Sequence, residues 1–222
     1  QQKKYRKENN LFIVEGVKNI EELLKSNSII NSLYATSDWS GVYDNKINIT
    51  NKELSQMSTL STPDKVLALV EVPEQDLTLN NDLTLVLDSI NDPGNLGTII
   101  RTADWFGVSQ IICSENSVDC FNPKVVQATK GSIFRANVVY KNLEDFFTTN
   151  NLPVYGATLK GVSIREAKLD NGIILMGSES HGISDELMKF VTHEISIPKF
   201  GEAESLNVAI ATSIILNEFK NG

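Results

Sequence analysis

NDPGNLGTIIRTADWFG, residues 91–107, decides how the rest of the chain is read. A Pro-Gly-Asn turn leads into a stretch whose apolar positions Leu96, Ile99, Ile100 and Ala103 recur at helical spacing. Just before it, LTLVLDSI (83–90) is a nearly continuous apolar run, the pattern of a buried strand. Strand, glycine-bearing turn and helix together commonly cradle an anion or a nucleotide. The spacing here is neither G-x-G-x-x-G nor G-x-x-x-x-G-K-S/T, so neither standard phosphate-binding turn is present.

Working outward, further strands are expected at 109–113, 136–140, 153–158, 173–176 and 194–198. Asn122 followed by Pro123 marks a helix start. SLNVAIATSIILNEF, near the end, is apolar almost all round and predicts a helix buried in the fold or in a subunit interface. These elements imply a mostly parallel sheet covered on both faces. Upstream, LFIVEG (11–16) reads as a strand and VKNIEELLKS (17–26) as an amphipathic helix, with Val17, Ile20, Leu23 and Leu24 on one face. INSLYAT and KVLALVEV (65–72) read as strands, and Thr50 with Glu53 forms a capping box. The expected organisation is a small α/β domain over 1–74, a linker in the polar 75–82, and a larger α/β domain over 83–222.

With 222 residues and 41% hydrophobic content, the chain can bury one substantial core and a second smaller one. No apolar run approaches the ~20 residues of a membrane span. The polar, basic QQKKYRKENN has no signal-peptide pattern, and the chain does not open on Met. Cys113 and Cys120 read as small core or loop residues, and two histidines, His181 and His193, are too few for a His-rich zinc site. A reducing, cytoplasmic setting without metal or membrane is the expectation. The net charge of −8 argues against an extended basic surface, yet Lys3, Lys4, Arg6 and Lys7 cluster beside Tyr5. That cluster is either a solvated end or a binding arm.

Three glycine-bearing loops each follow a strand and precede a helix: NDPGNLG (91–97), GSESHG (177–182) and PKFGEAESLN (198–207). In open α/β sheets such loops form the ligand crevice. They and the first helix carry Asn95, Arg101, Glu179, Ser205 and Asn207. Each has a structural alternative. Asn95 is a possible helix cap, Arg101 a solvated partner of Asp104, Glu179 an ordinary loop acid and Ser205 the cap of the last helix. Asn207, against a strongly apolar helix, needs a partner. His181 reads as incidental. As a set these residues offer a cation, a carboxylate, small hydrogen-bonding groups and loop amides, with no metal cluster, Cys nucleophile or Ser-His-Asp trio. That inventory suits a reaction whose electrophile arrives activated, such as methyl transfer from a sulfonium.

NDPGNLGTIIRTADWFG, IILMGSESHGISDEL and ISIPKFGEAESLNVAIATSIILNEF, in that order, resemble the three motifs of the SpoU/TrmH family of RNA ribose 2′-O-methyltransferases, within the SPOUT superfamily. FNPKVVQATKGSIFRANV (121–138) is similar to the region between the first two motifs. The resemblance covers about 83–222, and 1–72 looks like the substrate-binding domain preceding the catalytic domain in many members. It implies a SPOUT-type α/β domain with a C-terminal trefoil knot, which general topology rules would not suggest. It also implies S-adenosylmethionine held by Gly177, Ile197 and Leu206, largely through backbone atoms. By the same match Asn95, Arg101, Glu179, Ser205 and Asn207 are the polar site residues, and the protein is a homodimer with its site near the subunit interface. A guanidinium is a permanent cation in proteins, so Arg101 is read as a grip on phosphate and developing alkoxide rather than as the base. Lys3, Lys4, Arg6 and Lys7 are the first candidates for RNA phosphate contact, with Lys124 and Lys130 behind them. The expected substrate is large-subunit ribosomal RNA. Transfer RNA, a catalytically inactive RNA-binding relative and a nucleotide-binding oxidoreductase are the alternatives.

Overall fold

The computed structural model describes residues 3–77 and 83–221; of the expected linker, residues 78–82 lie outside the described residues. Along the chain come α1 (Lys3–Asn9), β1 (Leu11–Glu15), α2 (Val17–Leu24), β2 (Ile30–Ala35), β3 (Ile47–Asn48), α3 (Asn51–Met57) and β4 (Val66–Glu71). Then follow β5 (Thr84–Leu87), α4 (Pro93–Trp105), β6 (Gln110–Ser114), α5 (Pro123–Thr129), a 3-10 turn (Ser132–Phe134), β7 (Asn137–Lys141) and α6 (Leu143–Thr148). The chain continues through β8 (Val154–Ser163), β9 (Ile173–Met176), α7 (Asp185–Met188), β10 (His193–Ser196) and α8 (Val208–Asn221). Every strand and helix expected from the sequence has a counterpart; the short α1, β3 and α6 are additions.

Contacts divide the chain into two units, 1–74 with 119–135, and 75–118 with 136–222. The first unit has a four-stranded sheet in the order β1-β4-β2-β3, antiparallel except for the short β2–β3 pairing. The α3 helix starts as its capping box requires. Thr50 Oγ1 accepts the Glu53 N–H at 3.2 Å, and Glu53 Oε2 accepts the Thr50 N–H at 2.7 Å. Those bonds from Thr50, backbone first, hold the Glu53 carboxyl below its usual range.

Residues 119–135 belong to this unit through specific packing. The Phe121 and Phe12 rings lie 4.6 Å apart. Gln127 donates to the Glu15 carbonyl at 2.7 Å and accepts from Asn19 at 3.0 Å. Gly131 has φ 95°, and a Cβ there would come within 2.5 Å of the Glu22 side chain, so glycine is required twice over.

Arg6 departs from its expected role. The residue is 8% exposed, and its Nη2 donates to Asp119 Oδ2 at 2.5 Å. A buried guanidinium already paired with a carboxylate is not offered to RNA phosphate. The exposed cations of the arm are Lys3, Lys4 and Lys7, and Lys4 lies 3.8 Å from Glu8.

The second unit is built on six parallel strands in the order β10-β8-β9-β5-β6-β7. The central β5 (TLVL) and β9 (IILM) are buried along their whole length, as strands covered on both faces must be. The chain builds outward from β5 through β6 to β7, then returns to the other side of β5. The reversal therefore falls between β5 and β9, and the loops at their carboxyl ends flank the position where ligands bind in such sheets. β10 pairs with β8 out of simple step: Glu194 faces Gly156, but the next residue, Ile195, faces Val162. Residues 157–161 of β8 are thereby passed over.

Replacing Arg6 with Ala leaves a mostly buried carboxylate unpaired and is expected to destabilise the first unit by about 2–3 kcal/mol. Urea unfolding followed by the fluorescence of the buried Trp39, in a Trp105→Phe background, measures this.

Candidate active site

The first helix of the site starts at an aspartate. Asp92 Oδ1 accepts the Asn95 N–H at 2.8 Å, and Pro93 occupies the first turn. Asp92, not Asn95, is the cap, which frees the Asn95 amide for another partner. At the last helix the expected cap is displaced as well. Asn207 Oδ1 accepts the N–H groups of Ala209 at 3.0 Å and Ile210 at 3.3 Å, so Asn207 caps α8. Ser205 is exposed and forms no side-chain hydrogen bond with described residues.

The other end of the Asn207 side chain gathers the site. Its Nδ2 donates to Asn95 Oδ1 at 2.8 Å and to Glu179 Oε1 at 2.5 Å. One amide group thus uses its acceptor on the helix and both N–H bonds on residues that lie 112 and 28 positions away in the chain. Glu179 Oε1 also sits 3.4 Å from the Val208 N–H, which puts a carboxylate at the positive end of α8. Glu179 is carried by a loop tied at its base, where the Ser178 and Gly182 backbones exchange hydrogen bonds of 3.0 and 2.9 Å.

A cavity of about 900 Å³ opens beside this cluster. It is lined by the 157–160 stretch of β8, the 177–183 loop and the 197–206 segment, over an apolar floor that includes Met176, Ile183, Ile195 and Ile215. Gly177, Ile197 and Leu206 all line it, with Glu179 and Ser205. Gly177 has no room for a side chain: a Cβ would lie 2.0–2.2 Å from Gly182 and Ile183 backbone atoms. A wall of loop backbone over an apolar floor fits a ligand with an apolar body and a few hydrogen-bonding edges. It fits an adenosine carrying a sulfonium better than a polyphosphate.

Arg101 stands apart. It is six residues beyond Asn95 on α4, about 9 Å along the axis and on a different face. It is exposed and has no hydrogen bond or ion pair with described residues, Asp104 included. The structure therefore joins Asn95, Glu179 and Asn207, places Ser205 on the cavity wall, and leaves Arg101 outside the cluster within one chain. Sequence reading missed the 157–160 stretch, because nothing local marks where one strand skips along another. Among the described residues, no group of His, Cys, Asp and Glu is placed to hold a metal, and no helix is long and apolar enough to cross a membrane.

The comparisons agree with this geometry. The sequence profile of the SpoU rRNA Methylase family matches residues 82–217, and that of the MRM3-like substrate binding domain matches residues 1–68. The 23S rRNA (guanosine(2553)-2′-O)-methyltransferase RlmP of Bacillus subtilis is 31% identical, across 96% of this chain and 90% of its own. A TrmH-family protein from Porphyromonas gingivalis superposes with a TM-score of 0.89 at 37% identity, covering 99% of this chain and 93% of that one. An AdoMet-bound rRNA methyltransferase from Sinorhizobium meliloti superposes with a TM-score of 0.87 at 32% identity, over 99% and 90%. Motifs, fold and relatives converge: the chain belongs to the SpoU rRNA methylase family, whose members are AdoMet-dependent enzymes.

Proposed function

We propose that the protein methylates a ribose 2′-hydroxyl of large-subunit ribosomal RNA with S-adenosylmethionine as donor. The observation that carries the reading is the Asn207 amide joining Asn95 and Glu179 at the edge of the Gly177-lined cavity. Ribosomal rather than transfer RNA is supported by the similarity to RlmP over nearly the whole of both chains. An inactive relative is disfavoured, since all five polar site positions are filled. The absence of a dinucleotide-binding turn sets aside an oxidoreductase.

S-adenosylmethionine supplies an activated methyl group on a sulfonium, so the protein's contribution is alignment and charge. Gly177, Ile197 and Leu206 would hold the donor through loop backbone. Asn207, whose amide is fully used, sets Asn95 and Glu179 in place; the Asn95 N–H2 is left to orient the acceptor nucleotide, and Glu179 presents its carboxylate at the edge of the cavity. Ser205 is placed to hydrogen-bond the nucleotide from the cavity wall. Arg101 grips the neighbouring phosphate and stabilises the negative charge that develops on the acceptor oxygen.

Arg101 fills that role from a partner subunit in this reading. It is exposed and without a partner among the described residues on α4, which packs against α8, and Trp105 and Ile210 on these two helices are 85% and 53% exposed. Apolar side chains beside an unused cation favour a homodimer interface over solvent. The trefoil knot is part of the same reading, supported by family membership and by the return of α8 from the edge strand β10 to α4. The cytoplasm, where ribosomal RNA is found, is the proposed setting.

Mapping 2′-O-methylation in RNA from cells lacking the protein should reveal one missing methyl group in large-subunit rRNA. A loss confined to transfer RNA would overturn the substrate. Arg101→Lys is expected to lower turnover at least about 100-fold with donor affinity unchanged, because a point charge does not reproduce a bidentate fork. Retention of most turnover would refute the phosphate grip. Mixing Arg101→Ala with Asn207→Ala subunits should restore about a quarter of wild-type activity if Arg101 serves the partner's site, and none if it serves its own. Neutralising Lys3, Lys4 and Lys7 together should weaken RNA binding and flatten its dependence on salt. An unchanged slope removes the arm from the interface.

A further inference from the structure

A buried acid outside the cavity is the least explained group in the second unit. Asp88 follows the last residue of β5 and is 5% exposed. Its Oδ2 accepts the Ser184 N–H at 2.9 Å, and its Oδ1 accepts the Ser89 hydroxyl at 2.8 Å. Its own N–H donates to the Met176 carbonyl at 2.9 Å, at the end of β9. Asp88 thus spans the point where the strand order reverses. It is tied on one side to the loop that carries Glu179 and on the other to the turn that leads to Asn95.

Ser89 extends the tie. It lies in the left-handed region, with φ 58°, a conformation a serine holds only when its surroundings compel it. Its N–H donates to Ser114 Oγ at 2.8 Å, and its hydroxyl accepts from Asn116 Nδ2 at 2.9 Å. The next residue is fixed too, with the Ile90 N–H on Ser117 Oγ at 3.1 Å and the Ile90 carbonyl accepting the Val118 N–H at 2.9 Å. Three connections, 88–92, 114–118 and 177–184, therefore meet at one Asp-Ser pair, and neither residue lines the cavity.

We infer that Asp88 is a positioning residue of the methyl-transfer site, holding the 177–184 loop in register with the 88–92 turn so that Glu179 and Asn95 both reach Asn207. The inference rests on the functional reading above. The physical basis is a difference between the two ends of the loop. Glu179 is exposed and attached only through its carboxylate, whereas Ser184, five residues on, is attached at its backbone to a buried group. A bond at an exposed tip does not hold a loop against thermal motion. A bond to a buried carboxylate nearer its base does, because opening it strands the Asp88 acceptor away from water. The anchor keeps Gly177 and its neighbours formed before the donor arrives, which lowers the ordering cost of binding.

The test compares Asp88→Ala, Asp88→Asn and Ser89→Ala with the wild type. It reads S-adenosylmethionine affinity by calorimetry, RNA affinity by filter binding, and turnover at saturating donor. Asp88→Ala should weaken donor affinity about tenfold, equivalent to ~1.4 kcal/mol, and lower turnover further, with RNA affinity within about twofold. Asp88→Asn should restore donor affinity to within about threefold. Its amide oxygen still accepts the Ser184 N–H, and its N–H2 can donate to Ser89 Oγ. Ser89→Ala keeps the buried carboxylate and removes one partner, and should cost about threefold, so the question stays open to decision even where Asp88→Ala fails to fold. A lower melting temperature with donor affinity and turnover unchanged would make Asp88 a stability residue only, and equal losses in Asp88→Asn and Asp88→Ala would also overturn the proposal. The wild-type titration tests the functional reading, and the ratios among variants test this one.

Discussion

The side-chain amide of Asn207 makes two kinds of bond at once, and the site depends on both. Its oxygen satisfies N–H groups at the start of α8, which a helix must cap or leave exposed. Because the oxygen is held there, the nitrogen is aimed away from the helix, toward Asn95 and Glu179. Residues from three loops are joined by a group whose orientation is set by ordinary helix capping. An aspartate could cap as well, but it has no N–H to offer the other two.

This arrangement is possible only because α4 and α8 pack together beside the reversal of the strand order. Fully buried β5 and β9 lie side by side and bring the loops after them into reach. The skipped residues of β8 close the cavity from a third direction. No single element makes the site; each contributes backbone at the end of a strand and one or two polar side chains.

The chain passes between its two units three times, because 119–135 leaves the second unit to pack with the first. Phe121 against Phe12, Gln127 on Glu15, and Asp119 paired with Arg6 explain that loyalty in ordinary terms of aromatic contact and buried polar pairing. The family profile's match, residues 82–217, spans this segment, although its contacts belong to the first unit. The same pairing withdraws Arg6 from the basic arm, so the local cation count of the sequence overstates what RNA could meet.

Much was legible in the sequence where the determining forces are local. Apolar runs fixed β5 and β9, the Thr50-Glu53 pair fixed the start of α3, and Asn122-Pro123 fixed the start of α5. The three motifs named the family and the residues Asn95, Glu179 and Asn207, because loops at strand ends need recognisable glycine and amide spacing. Tertiary structure alone decided which asparagine caps its helix, that Arg6 is buried, and where the 119–135 segment packs. It also decided that Asp88 reaches Ser184, 96 residues away, and that β8 skips five residues against β10. Those outcomes turn on contacts between distant parts of the chain, whose free energy comes from burial and pairing, and neither partner carries a local signal of the other.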